Sequence, residues 1–313
     1  MKKRFIQRVS VLVAGGLCAG LMTSCETLNQ LSEAGTSIAV ASGAISSNEA
    51  RSINRSVKAV GKTFEDISPE QEYYIGRSVA ATLLGRYKPY DDANLNHYVN
   101  VLGQTLSRYS SKPETFGGYH FLVFDADEVN AFAAPGGLIL VSKGLLKCCS
   151  NEDELAAVLA HEIGHVQNED GLRAISKSRL TSALTILASE GAKNLGGEQL
   201  AQVTEAFEGS VNDITQTLVV NGYSRRQERQ ADEAAVSILK AVGYDPDGLI
   251  GMLNQMSMRL GHSRGGIGFA KTHPDPLDRV ADVQRLIGSY RPVAELPERQ
   301  IRFDRAMAGL LRD

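Results

Sequence analysis

The chain has 313 residues, with 33 basic and 36 acidic side chains and a net charge of −3. That mildly acidic balance argues against a nucleic-acid partner and against electrostatic adhesion to anionic lipid. Of the four cysteines, Cys18 and Cys25 lie near the start and Cys148 and Cys149 are adjacent, so no disulfide framework is implied.

The chain opens MKKRFIQRVSVLVAGGLCAGLMTSC. A basic start, an apolar stretch from Val9 to Met22 and small residues before Cys25 read as an export signal, and the apolar stretch is too short for a comfortable transmembrane helix. MTSC resembles a bacterial lipobox, in which Cys25 becomes the lipidated first residue. Glu26 follows where an aspartate would mark inner-membrane retention, which favours the outer membrane. Loss of residues 1–24 removes Lys2, Lys3, Arg4 and Arg8 and moves the formal charge from −3 to −7. Residues 25–62, rich in Ser, Ala, Asn and Gly, read as a lipid-anchored spacer, and residues 63–313 as one compact domain.

Within that domain three strands are expected: HFLVFD (120–125), VNAFAA (129–134) and, after the Pro135-Gly136-Gly137 turn, LILVS (138–142). The run NEDELAAVLAHEIGHVQNEDG (151–171) is expected to be a helix. Ser150 or Asn151 caps it, and Glu152, Asp153 and Glu154 place negative charge in its first turn. Leu155, Val158, Leu159, Ile163 and Val166 form an apolar stripe. His161 and His165 stand one turn apart at the edge of that stripe, and Glu162 falls on it. A buried carboxylate is costly unless paired. Two imidazoles at i and i+4 converge on one point, where a Zn²⁺ ion can bind and leave a place for water. Glu162 then stands beside the water as general base. Gly164 removes side-chain bulk from the same turn, which allows another element to approach. The alternative is an ordinary core helix with two hydrogen-bonded histidines.

The segment 172–222 is helical in pattern and is read as a lid over the cleft; it holds no apolar run of membrane-spanning length. Next comes NGYSRRQERQADEAAVSILKAVGYDP (221–246), with a Ser224–Gln227 capping box and Gly243 as a stop. Glu228 and Asp232 share a face. Glu228 can complete a His₂Glu site, and Asp232 can accept the spare N–H of a liganding imidazole. The alternative for Glu228 is a surface ion pair with Arg225, Arg226 or Arg229. His97, His120 and His262 lack ligand spacing and are read as structural. Cys148 and Cys149 are read as buried small residues or a rare vicinal bridge.

HEIGH (161–165), SRRQERQAD (224–232) and THPDPLDR (272–279) in this order resemble the CAAX-prenyl-endopeptidase-like and HtpX-like zinc metalloproteases. The closest likeness is to their soluble periplasmic BepA- and LoiP-type branch. It runs from ISPEQEYYIGR (67–77) to Arg285 and includes VNAFAAPGGLILVSKGLL (129–146). The resemblance implies an α+β, mostly helical zincin-type (gluzincin) domain with a small sheet beside the HExxH helix. It implies one Zn²⁺ per chain on His161, His165 and Glu228, with Glu162 as catalytic base and Asp232 supporting a ligand. It further implies that an edge strand including Asn130, Ala131 and Phe132 pairs with an extended substrate, binding backbone rather than sequence. It brings His273 toward the zinc, to hold the open position in a latent state or to help stabilise the oxyanion. Arg279 is expected to brace the His273 loop or to form a surface ion pair. No tetratricopeptide array, as in BepA-type relatives, is expected after Arg285.

The function these readings imply is zinc-dependent endoproteolysis of extended or misfolded envelope proteins, outer-membrane proteins among them, by an enzyme facing the periplasm. A chaperone or assembly factor that binds unfolded strands and rarely cleaves is the alternative. The HExxH glutamate favours the enzyme, because a pure binder needs no base.

Overall fold

The computed structural model describes residues 67–175, 197–261, 273, 276–290 and 297–311. The chain divides into two units, one of residues 1–66 and 177–206, the other of residues 67–176 and 207–313. The second carries the sheet, the motif helix and the cluster described below. Cys25, the export signal, the spacer, His262 and the middle of the expected lid segment lie outside the described residues.

Helix α1 (Pro69–Arg86) starts with a full capping box from Ser68 and Gln71. Helix α2 (Ala93–Ser107) is capped by Asp92. Three strands follow: β1 (His120–Phe124), β2 (Ala131–Ala134) and β3 (Leu138–Ser142), in the spatial order β1-β3-β2. β1 runs parallel to β3, and β2 pairs antiparallel with β3, Ala131 opposite Val141. The 3₁₀ turn Pro135–Gly137 joins β2 to β3. β2 is therefore an edge strand, and its side chains are wholly buried. On β1, the N–H groups of Phe121 and Val123 donate to the side-chain carbonyls of Asn100 and Asn96 on α2, which satisfies donors that no strand takes.

α1 packs tightly on the turn after β2. A methyl group on Gly76 would lie 1.8 Å from the Pro135 carbonyl oxygen, so only glycine permits that approach. The Glu72 carboxylate fixes the same place: it accepts the Gly136 N–H at 3.0 Å and pairs with Lys112 at 2.7 Å.

After the short helix α3 (Lys143–Leu146) comes the motif helix α4 (Glu152–Gln167), capped by the Asn151 side chain on the Glu154 N–H. Leu155, Leu159 and Ile163 are fully buried in the core, each contributing about 1.5–3 kcal/mol of transfer free energy. Its first-turn acids do more than complement the helix dipole. Glu152 is buried and accepts from Tyr98, Tyr244 and Arg302. Asp153 accepts from the Asp245 N–H and from Arg299. These bonds tie the start of α4 to α2 and to the helix at Pro297–Met307, numbered α10 below.

The short helix α5 (Asp170–Arg173) follows a left-handed turn at Glu169, φ 57°. Helix α6 (Gly197–Gln216) continues into a single π turn, Thr217–Asn221, and Gly222, φ 72°, ends it. Helix α7 (Arg225–Val242) has the expected Ser224–Gln227 box and stops at Gly243 in the left-handed region, φ 91°. Helices α8 (Asp247–Gly261), α9 (Pro276–Ile287) and α10 complete the order. This is the mostly helical α+β architecture with a small sheet that the sequence implies. Among the described residues no helix is long and apolar enough to cross a membrane. Cys148 and Cys149 are buried thiols, each donating to a backbone carbonyl one turn earlier, Gly144 and Leu145.

Candidate metal centre

α4 and α7 build the centre between them, and Gly164 sets their distance. A methyl group there would lie 2.9 Å from both Cα and the carbonyl oxygen of Ala231. The contact brings one turn of α4, His161 to His165, against the first turns of α7, Glu228 to Asp232. His161, Glu162, His165, Glu228 and Asp232 are all buried to within 2 % of full coverage.

The two imidazoles converge, with Nε2 of His161 and Nε2 of His165 facing each other at 3.2 Å. Each stands 3.5 Å from one oxygen of Glu228, His161 from Oε2 and His165 from Oε1. His273 joins them with Nδ1 2.6 Å from Glu228 Oε1, and the ligand atoms of the four residues all lie within 4.8 Å of one another. The Glu228 alternative of a surface ion pair is set aside. Arg225 and Arg229 pair instead with Asp278 and Asp282 on α9.

Each imidazole is oriented from its far side. Asp232 Oδ1 lies 3.0 Å from Nδ1 of His161, and Asp170 Oδ2 lies 2.9 Å from Nδ1 of His165. A proton on each Nδ1 donates outward and leaves each Nε2 lone pair aimed at the centre. The outer carboxylates are themselves held. Asp170 Oδ1 accepts from Gln227 Nε2 at 3.1 Å. Asp232 takes a two-pronged bond from Arg279, Nε to Oδ2 at 3.0 Å and Nη2 to Oδ1 at 2.5 Å. Nη2 also comes within 3.3 Å of His161 Nδ1, but a guanidinium only donates, so with Nδ1 protonated toward Asp232 this is a contact between two donors. Arg279 Nη1 lies 2.9 Å from Glu228 Oε2, outside hydrogen-bond geometry.

The electrostatics follow from this arrangement. Burial works against the ionised form of Glu228, but the cations beside it outweigh burial and hold its carboxyl well below the usual range. His273 is itself kept down by burial, so Arg279 and the shared charge of His161 and His165 carry the effect. Asp232 is lowered for the same reason, against burial, by Arg279 and His161. Burial opposes a charge on His165, yet Asp170 and Glu228 push it up to about 10; His161 is also raised, by Asp232 and Glu228 against burial and Arg279. At 3.2 Å the two Nε2 atoms cannot both carry a proton. The pair holds one strongly bound cation's worth of charge between them.

The donor set fits a divalent metal. Ligands on a tetrahedral zinc-type ion stand about 3.3–3.4 Å apart, close to the separations of His161, His165 and Glu228. Around the cluster the buried carboxylates Glu162, Asp170, Glu228 and Asp232 face one buried guanidinium, Arg279, an excess of negative charge that a dication offsets. Glu162 Oε1 is buried with no hydrogen-bond partner among the described residues.

Among the other expected residues, Asn130, Ala131 and Phe132 lie at the start of the edge strand and are buried. Asn130 closes the β2–β3 pairing through its carbonyl oxygen, which accepts the Ser142 N–H, and through its own N–H, which donates to Ser142 Oγ. His97 and His120 are exposed and apart from the cluster, His120 bonding the Gly117 carbonyl. Arg279 is neither a loop brace alone nor on the surface: it is buried against the two carboxylates of α7. Sequence reasoning missed Asp170, five residues past His165, and Tyr223, one residue before the α7 cap. Tyr223 stacks on the His165 ring, centroids 4.2 Å apart and planes 23° apart.

The chain is similar to several known proteases. It is 28 % identical over 227 residues to the beta-barrel assembly-enhancing protease of Escherichia coli K12, covering 72 % of this chain and 46 % of that protein. It is 29 % identical over 173 residues to the mitochondrial metalloendopeptidase OMA1 of Schizosaccharomyces pombe, covering 55 % and 45 %. It is 29 % identical over 130 residues to metalloprotease LoiP of E. coli K12, covering 42 % and 48 %. The chain thus spans about half the length of the curated relatives it matches. The pattern of peptidase family M48 matches residues 93–287, from α2 through the whole centre to the end of α9, and the chain belongs to that family.

Proposed function

We propose that this chain is a zinc-dependent metalloendopeptidase of the bacterial cell envelope that hydrolyses extended or misfolded proteins. The observation that carries the reading is the convergence of His161, His165 and Glu228 beside a buried, unpaired Glu162 oxygen. His161, His165 and Glu228 hold the ion, and Asp232 and Asp170 fix the tautomers of the two imidazoles. Zinc bound there supplies Lewis acidity, polarising a peptide carbonyl and bringing the pKa of water to about 7. Glu162 takes a proton from the attacking water on Oε1 and delivers it to the amine that leaves. A low-dielectric pocket with fixed carboxylates makes these transfers cost little reorganisation.

The edge strand at Asn130, Ala131 and Phe132 pairs with the backbone of the substrate, which selects for unfolded chains rather than for sequence. His273, buried against Glu228, guards the centre until a substrate enters. Residues 1–24 are a lipoprotein signal peptide, Cys25 carries the lipid, residues 25–62 form a spacer and residues 63–313 the peptidase domain, which faces the periplasm from the outer membrane. Clients there include outer-membrane proteins, in keeping with a relative named for beta-barrel assembly.

Metal analysis and casein hydrolysis of the wild type beside Glu162→Gln test the reading. One zinc per chain in both proteins, with hydrolysis lower by about 10²- to 10⁴-fold in the variant, supports it. Equal turnover in the two removes Glu162 from the reaction. Acyl chains absent from Cys25 in the native protein would remove the anchor.

A further inference from the structure

The two converging imidazoles are held differently. His161 is held at its Nδ1 edge by Asp232, which Arg279 clamps in turn with a two-pronged bond. His165 has one such partner, Asp170. A single hydrogen bond at Nδ1 sets the tautomer and the direction of Nε2 but leaves the ring free to rock about the axis through that bond. The face of His165 is closed by Tyr223, stacked on it with ring centroids 4.2 Å apart. The same phenol ring lies edge-on to His273, centroids 6.1 Å apart.

The backbone explains how Tyr223 comes to be there. Gly222, at φ 72° and ψ −179°, ends the π turn in a conformation closed to other residues. Ser224 then begins α7 with its capping box. Gln227, the far member of that box, sends its amide to Asp170. One local motif, Gly222 to Gln227, therefore delivers the ring face and supports the carboxylate that together surround His165. The phenol hydroxyl has no part in this: it is buried and has no hydrogen-bond partner among the described residues.

We propose that Tyr223 is a positioning residue for His165, acting through its ring face and not its hydroxyl. The stacked ring holds the imidazole in the plane where Nε2 points at the metal, complementing the single bond from Asp170. This rests on the reading of His165 as a metal ligand. An outer partner of a metal-binding histidine typically changes metal affinity by about 10- to 100-fold when lost.

The test uses the full chain as wild type, Tyr223→Phe, Tyr223→Leu and Tyr223→Met, with zinc affinity measured by competition against a chromophoric chelator and metal-free thermal unfolding on the same samples. Phe keeps the ring face, so its zinc affinity should stay within about twofold of wild type, with a melting temperature no lower. Leu and Met remove the face, so zinc should bind about 10- to 100-fold more weakly while metal-free unfolding stays cooperative. Ringless variants that bind zinc as wild type does would overturn the proposal. A Phe variant as weak as Leu would also overturn it, by moving the role to the hydroxyl, and that comparison stands even where one ringless variant does not fold. A wild-type chain that binds no zinc sinks the metalloprotease reading itself, and is told apart because it fails before any variant is compared.

Discussion

Gly164 on α4 lies so close to Ala231 on α7 that a methyl group would sit 2.9 Å from the Ala231 Cα and carbonyl oxygen. Both neighbours are helix backbone, so neither helix can yield by turning a side chain. Gly164→Ala should push α7 away from the turn that carries His161 and His165, and Glu228 with it. Overpacking of this kind costs about 1–3 kcal/mol. The expected result is a lower melting temperature together with weaker metal retention, read by calorimetry and chelator competition. A variant that melts lower but holds metal as tightly as wild type would uncouple the contact from the centre.

Arg279 is a buried, permanently charged cation against Asp232 and Glu228. Arg279→Met removes it and leaves two buried carboxylates with only the imidazoles as partners, a loss of about 3–5 kcal/mol for a broken buried pair. Metal restores part of this, because the ion offsets the same charge. The metal-free variant should therefore lose more stability than the metal-loaded one, measured by thermal unfolding with and without chelator. Arg279→Lys should rescue little, since an ammonium cannot reproduce the two-pronged bond to Asp232. Equal losses in both states would assign Arg279 to packing alone.

Much of this was legible before any coordinates. The apolar run LILVS, the PGG turn, a cap at Ser150 or Asn151 and the Ser224–Gln227 box are local signals, and each element stands where they point, with Asn151 as the cap. Gly164 was legible as a place of close approach, though not its partner. What stayed hidden was set by chain reversals. Asp170 is not in helical register with His165, because the left-handed turn at Glu169 folds the chain back first. Tyr223 depends on the positive φ of Gly222. Arg279 lies 47 residues from Asp232, and no periodicity announces a buried guanidinium. The first-turn acids of α4 carried a correct local reading, favourable to the dipole, yet Glu152 is buried by Tyr98, Tyr244 and Arg302 from three distant segments.

His273 sits buried with Nδ1 2.6 Å from Glu228 Oε1. On the proposed reading, a resting guard there suits a protease whose edge strand would discriminate poorly among unfolded chains. His273→Ala should raise the initial rate on an unfolded substrate, with self-cleavage, while three ligands still hold zinc. A rate lower by about 10²-fold with unchanged zinc would instead give His273 an oxyanion role. Rates and zinc content measured on the same samples separate the two.

The pH dependence of stability should differ between the metal-free and metal-loaded protein. Without metal, the imidazole of His165 is raised from an ordinary 6.5 to about 10 by Asp170 and Glu228, against burial. A raised pKa contributes stability that is fully present below the unfolded value and lost as pH rises through the folded one. Glu228 and Asp232 are lowered from 4.5 and 3.8, so their contribution is present above those values and lost on acidification. The cluster therefore stabilises the metal-free chain most between about pH 4.5 and 6.5, and progressively less toward pH 10. A metal needs the imidazoles neutral, so its binding gains as protons leave. The gap in melting temperature between metal-loaded and metal-free protein should widen from pH 6.5 upward, and groups elsewhere that titrate alike in both forms cancel from it. A gap that stays constant across that range would show that the proton shared by His161 and His165 and the metal do not compete for one place.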